Sequence, residues 1–240
     1  AAVGLIFFAI PHKTLRFCRF SFRPREIRDA CINGSSEMIG QMATAITTFL
    51  FNIILMRLAG SDGVAAMTIL FYGQFLFNAF YLGFAIGIAP VVGYQYGAGN
   101  RVKLRKIYRI SFLFVAVSSF VIVVSAVFFS PAIVTIFTKD QGTWELASVG
   151  FRLFAINFLF SGMNITSSGF FTALSNGKVS ALISFCRTLV FIVISLLILP
   201  RIFGINGAWI AIPVAEFLTL LITGWMHRTY FLVPGEQNYL

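Results

Sequence analysis

Five polar side chains, Glu37, Gln41, Thr44, Thr48 and Asn52, recur at steps of four, three, four and four. That spacing puts them on one face of a helix. Gln74, Asn78 and Tyr81 repeat the spacing further along, and Asn157, Ser161, Asn164 and Ser168 do so again. Each set stands inside an otherwise apolar stretch. Amides and hydroxyls there cost free energy unless water or a partner satisfies them. The three stripes are therefore expected to line a water-accessible cavity, where they would hold a polar or amphiphilic solute by hydrogen bonds. Hydrogen bonding between helices, worth about 0.6 kcal/mol per bond, is the competing account of any single member.

Two charges lie deeper. Glu216 stands about nine residues into the last apolar stretch, roughly 13 Å from its start at 1.5 Å per residue. Arg187 reaches a similar depth from the opposite side. As a buried pair the two would neutralise each other. Alternatively, a desolvated Glu216 would exchange a proton near neutral pH. Glu37 follows Asn33-Gly34-Ser35-Ser36 and either complements a helix N-terminus or sits at the cavity mouth. Arg152 is shallower and is expected to extend its charge to the outer interface.

Enzyme signatures are missing from the sequence. There is no Gly-x-Ser-x-Gly, phosphate loop or His-Glu-x-x-His. Cys18, Cys31 and Cys186 have neither disulfide nor zinc spacing. A membrane-embedded lipid-modifying enzyme, which would need a nucleophile or a metal cluster, is disfavoured. His12 and His227 stand beside basic residues and read as topological markers.

The elements that position these residues are set by composition. Apolar residues make up 58% of the chain and charged residues 11%, with 29 Phe and a mean hydropathy of +0.89. A soluble chain of this size needs far more polar surface, so this is a polytopic, all-α membrane protein. Six apolar blocks are long enough to span, near 38–58, 64–90, 107–129, 146–174, 179–199 and 208–227. The second and fourth exceed the minimum length and are expected to tilt or kink. Pro90, after Gly83 and Gly87, is expected to kink or end its helix. The run 1–10 is half a span and reads as the end of a truncated helix.

The net charge is +10. Thirteen basic residues, from Lys13 to Arg28, Arg101 to Arg109, Lys178 and Arg228, fall on one side of the blocks. Arg57, Lys139 and Arg201 fall on the other. The positive-inside rule makes the first side cytoplasmic. The charge then sets topology against lipid and implies no nucleic-acid partner. Segment 12–28 alternates base and aromatic, and reads either as an interfacial helix or as a connecting loop.

The run Pro90-Val91-Val92-Gly93-Tyr94-Gln95-Tyr96-Gly97-Ala98-Gly99-Asn100, leading into a basic loop, resembles a signature of MATE transporters, the multidrug and toxic compound extrusion family. Gly34-Ser35-Ser36-Glu37, Phe171-Thr172-Ala173-Leu174-Ser175-Asn176-Gly177-Lys178 and Gly204-Ile205-Asn206-Gly207-Ala208-Trp209 match as well. With Pro213-Val214-Ala215-Glu216 they resemble most the MepA-type bacterial branch.

The resemblance implies a six-helix lobe (34–228) of a twelve-helix transporter whose two lobes surround an alternating-access cavity. Residues 1–10 would end the first lobe, 11–33 would form a basic cytoplasmic connector, and 229–240 a cytoplasmic tail. The implied function is antiport of amphiphilic or cationic drugs against sodium or protons across the inner (plasma) membrane. No cofactor is implied, and the partners would be substrate, lipid and the first lobe. Some branches bind the coupling cation with a glutamate in this lobe's first helix and an aspartate in its fourth. Here the glutamate's place falls near Thr44 and the fourth helix has no carboxylate. Substrate- or ion-binding candidates are thus Glu37, Gln41, Thr44, Asn52, Asn78, Asn164, Arg187 and Glu216. A lipid-linked oligosaccharide flippase of the same superfamily is the alternative, although it should carry several cavity-facing cations.

Overall fold

The computed structural model describes residues 24–229, with side chains at Pro24, at Ile27 and from Met42 onward. The chain divides into two compact units, Ala1–Glu37 and Met38–Leu240. In the first, the described residues are helical from Pro24. The side chains of Glu37 and Gln41 lie outside the described residues, as do segment 12–23 and His12.

The helical run Pro24–Gly97 is broken at Gly60, which has φ 62° and ψ −150°. That conformation is open to glycine and strained for other residues. It divides the run into α1 (24–59) and α2 (61–97). The edge-to-face rings of Phe51 and Phe71 show that the chain doubles back there, for their centroids lie 5.5 Å apart. Twenty residues of straight helix would separate them by about 30 Å.

Six more helices follow: α3 (Arg101–Phe128), α4 (Ser130–Phe137), α5 (Gln141–Ala155), α6 (Asn157–Ala173), α7 (Gly177–Phe185) and α8 (Phe191–Phe203). A π turn, Cys186–Val190, joins α7 to α8, and α9 (Ile205–His227) comes last. Side-chain caps start three of them. Asn100 accepts from the Lys103 N–H, Asp140 from Thr143 and Asn176 from Val179, each satisfying an otherwise unpaired amide. The Thr143 hydrogen bond holds the exposed Asp140 carboxyl below the usual carboxylate range.

Among the described residues four stretches are long and apolar enough to cross a membrane: Met42–Gly97, Arg101–Phe128, Gly177–Phe203 and Ile205–His227. The pair α5 and α6, bent by 50°, makes a fifth. The break at Gly60 makes two spans of the first stretch. Six spans therefore stand where six apolar blocks were expected, and the fourth is kinked as its length foretold. Two details differ. Pro90 stays inside α2, which continues to Gly97, as spanning helices tolerate proline when neighbours satisfy the freed carbonyl. The apolar run after α3 folds into α4, a separate short helix led by Ser130-Pro131.

Lipid offers helices no hydrophobic incentive to associate, so packing and hydrogen bonds hold them together. The larger buried cluster joins Phe51, Leu70, Phe151, Phe154, Phe158 and Trp209. A second joins Val92, Leu104, Phe170, Phe171, Ile183 and Met226. Tyr81, in a third cluster with Ala85, Val115 and Ile165, is fully buried and donates to the Phe158 carbonyl at 3.1 Å. It fits because residue 162 is glycine: a Cβ there would come within 2.5 Å of the Tyr81 ring.

Candidate functional site

A cleft of about 360 Å³ opens between α1, α2, the π turn, α8 and α9. Helix α1 contributes Thr44, Thr47 and Thr48, while α2 contributes Phe71, Gln74, Phe75 and Asn78. Arg187 and Thr188 come from the π turn, Ile192 from α8, and Ile212 and Glu216 from α9. Polar and aromatic walls of this kind suit an amphiphilic solute, and the volume lies at the lower end of small-molecule sites.

Its floor is an ion pair. Arg187 Nε donates to Glu216 Oε1 at 2.6 Å, with the glutamate 2% exposed and the arginine 17%. Asn164 Nδ2 lies 2.7 Å from Glu216 Oε2 and 2.9 Å from the Glu216 carbonyl oxygen. Thr223 Oγ1 in turn donates to Asn164 Oδ1 at 3.2 Å. Both carboxylate oxygens therefore have donors, the condition under which a buried charge is tolerated. Three elements meet here: α6, α9 and the π turn.

The π turn also reaches α1. Thr47 Oγ1 donates to the Thr188 carbonyl at 3.1 Å. Wide turns wind by i→i+5 bonds, here from the Phe191 N–H to the Cys186 carbonyl. Such turns leave neighbouring carbonyls open to outside donors, and Thr47 uses one.

The expected candidates separate into groups. Thr44, Asn78, Arg187 and Glu216 meet at the cleft, where the pairing of the two charges is the first of the two alternatives weighed from depth. Gln74 joins them. Asn52 is exposed but lies away from the cleft lining. Thr47, three residues from Thr44, is a cleft residue that the stripe omitted, although its spacing was a usable signal.

The α6 stripe corrects the expectation that all three stripes face the cavity. Asn157, Ser161 and Asn164 are fully buried inside the lobe. Ser168 lies 2.9 Å from Ser180 Oγ and 3.0 Å from Ser184 Oγ on α7. Hydrogen bonding between helices accounts for Ser168, and Asn164 touches the cleft only through Glu216. Both amide atoms of Asn157 and the hydroxyl of Ser161 have no hydrogen-bond partner among the described residues.

His227 also differs from its expected role as a topological marker. It is 4% exposed, stacked on Phe171 at 4.6 Å and edged by Phe112 at 5.1 Å. Its Nε2 stands 2.9 Å from Ser167 Oγ. Arg152 is exposed in the last turn of α5, where a cation complements the helix dipole. Among the described residues no group of three His, Cys, Asp or Glu side chains is placed to hold a metal ion.

Comparison with known proteins places this geometry. Residues 38–197 match the MatE family model. The multidrug export protein MepA of Staphylococcus aureus (strain NCTC 8325 / PS 47) is 25% identical over 141 residues, 58% of this chain and 31% of that protein. An outward-facing multidrug resistance MATE family transporter of the MOP superfamily superposes with a TM-score of 0.82 at 22% identity. It matches 95% of this chain and 53% of its own. A MOP superfamily transporter from Pyrococcus furiosus gives 0.83 at 19% identity, over 95% and 52%. The chain thus spans about half the length of these solved relatives, and its match covers under a third of the curated one.

Proposed function

This chain belongs to the MatE family, and on that premise we propose that it forms one six-helix lobe of a secondary active antiporter. The antiporter exports amphiphilic drugs or toxic metabolites across the inner (plasma) membrane in exchange for sodium or protons. The single observation that carries this reading is the cleft whose polar face from α1 and α2 closes over a neutralised ion pair. A second lobe opposite the cleft would complete a central cavity, and lipid would surround the rest.

Substrate is held there by hydrogen bonds and aromatic contact. Among the described lining residues the one carboxylate, Glu216, is already engaged on both oxygens. The cationic drug class expected from the resemblance therefore has no free counter-ion among the described lining residues. A lipid pyrophosphate flippase is disfavoured for the complementary reason, since Arg187 is the one cation among the described lining residues.

Reconstituting the complete two-lobe transporter in liposomes tests the reading. Imposed sodium or proton gradients should each be tried against ethidium and a neutral amphiphile. Gradient-dependent counterflow of either solute is the expected result. Passive, gradient-independent leak would refute antiport.

A further inference from the structure

We infer that Arg187 is an oxyanion-binding group, and that the cleft takes amphiphiles bearing one carboxylate or sulfonate beside an apolar ring. This assignment rests on the cleft being the substrate site proposed above. Arg187 offers five N–H donors, and only Nε is engaged, by Glu216 Oε1 at 2.6 Å. The other four make no further hydrogen bond among the described residues. The side chain is 17% exposed and lines the cleft, so its open edge is presented to a solute.

The surrounding donors are scarce, and that makes Arg187 decisive. The hydroxyls of Thr47, Thr48 and Thr188 donate to the carbonyls of Thr188, Thr44 and Ser184. Each keeps acceptor lone pairs but no proton for a solute. The remaining side-chain donors on the described wall are the Thr44 hydroxyl and the amides of Gln74 and Asn78, all uncharged. An incoming oxyanion therefore finds a planar guanidinium fork as its strongest partner, a geometry that binds carboxylates through two parallel bonds. Phe71 and Phe75 supply apolar contact for the rest of the solute.

Glu216 is what permits this role. A lone buried guanidinium would carry a heavy desolvation cost, whereas the Glu216 carboxylate, itself held by Asn164, offsets it. It engages Nε and leaves the far edge open. A single arginine suits a monoanion and falls short of a diphosphate.

The experiment uses three fluorescent probes with one ring: 1-naphthaleneacetate, 1-naphthaleneacetamide and (1-naphthylmethyl)trimethylammonium. Their binding to the complete transporter is measured by naphthyl fluorescence, and their efflux in proteoliposomes. The acetate should bind about tenfold more tightly than the acetamide, the increment expected of a charge-assisted pair. The double variant Arg187→Gln, Glu216→Gln removes both charges while keeping polar side chains in place, and should bring that ratio close to one. Arg187→Lys should give an intermediate ratio, because an ammonium keeps the charge without the fork. An unchanged ratio in either variant would overturn the assignment, as would a wild-type preference for the ammonium or no binding at all. Tight acetate binding without efflux would uphold Arg187 and refute antiport. Gradient-driven efflux of the ammonium in preference to the acetate would do the reverse.

Discussion

Arg187 and Glu216, 29 residues apart in the chain, meet at 2.6 Å and tie the π turn to α9. Neither charge is stable there alone. Glu216→Gln should leave a largely buried guanidinium without its counter-ion and lower stability by about 3 kcal/mol or more. Adding Arg187→Gln should recover part of that loss, because the second change removes the stranded charge. Thermal melting of purified protein in detergent reads both. Equal losses in the single and double variants would contradict the pairing.

Asn164 makes a separate prediction from the same site. Its amide donates to Glu216 and its carbonyl oxygen accepts from Thr223. Asn164→Leu keeps the volume but strands an oxygen of Glu216, and should lower stability by about 1–3 kcal/mol. Thr223→Val removes one weaker donor, so it should lose about 1 kcal/mol or less. The order of the two melting temperatures is the check.

Much of this was legible in the sequence, and the reason is physical. Spans are read from runs of about 20 apolar residues, so six were countable. Depth follows from the rise per residue, which brought Glu216 and Arg187 to one level before any contact was known. Facing direction is a different matter. Periodicity shows that Asn157, Ser161 and Asn164 share a helix face, but not whether cavity or neighbouring helices lie opposite it. The chain also bends by 50° at Ile156, and nothing in local spacing specifies that bend or what lies opposite the face. The π turn was equally hidden, since Cys186 to Val190 reads like any helical stretch.

His227 shows the same limit and gives a third prediction. The Ser167 hydroxyl donates its one proton to the Met163 carbonyl at 2.7 Å. It must therefore accept from His227 Nε2, which leaves Nδ1 as a bare buried acceptor without a partner among the described residues. Ser167→Ala strands the Nε2 proton and should destabilise by about 1–3 kcal/mol. His227→Phe, which fills the ring space beside Phe171 and Phe112, should lose less than His227→Ala, which opens a cavity. Melting of the three variants decides it.

Asp140 yields a pH dependence outside the spans. The Thr143 amide hydrogen bond lowers its folded carboxyl below the usual range. Its stabilisation of α5 is therefore complete above the unfolded carboxylate value and is lost as pH falls through the folded one. Hydrogen exchange at the Thr143 amide should accelerate in Asp140→Ala near neutral pH, with Asp140→Ser closer to wild type. Protection should also weaken at acid pH in wild type but not in the alanine variant. Equal acid sensitivity in both would remove Asp140 as the cause.

The last prediction separates the two kinds of polar stripe. Thr44 and Asn78 line the cleft, whereas Asn157 and Ser161 are fully buried between helices. In the complete transporter, with Cys18, Cys31 and Cys186 replaced by serine, cysteines at 44, 48 and 78 should react readily with a small hydrophilic thiol reagent. Cysteines at 157 and 161 should resist it. Substrate should slow the first set by occupying the cleft and leave the second unchanged. Bulk should separate them too: Thr44→Trp has open space to enter and should shift substrate preference more than yield. Ser161→Trp overpacks a closed interface beside Gly162 and Tyr81, so it should lower yield first. Equal reactivity in both stripes would place water along α6 as well as the cleft, and an unchanged substrate profile in Thr44→Trp would remove α1 from the substrate pathway.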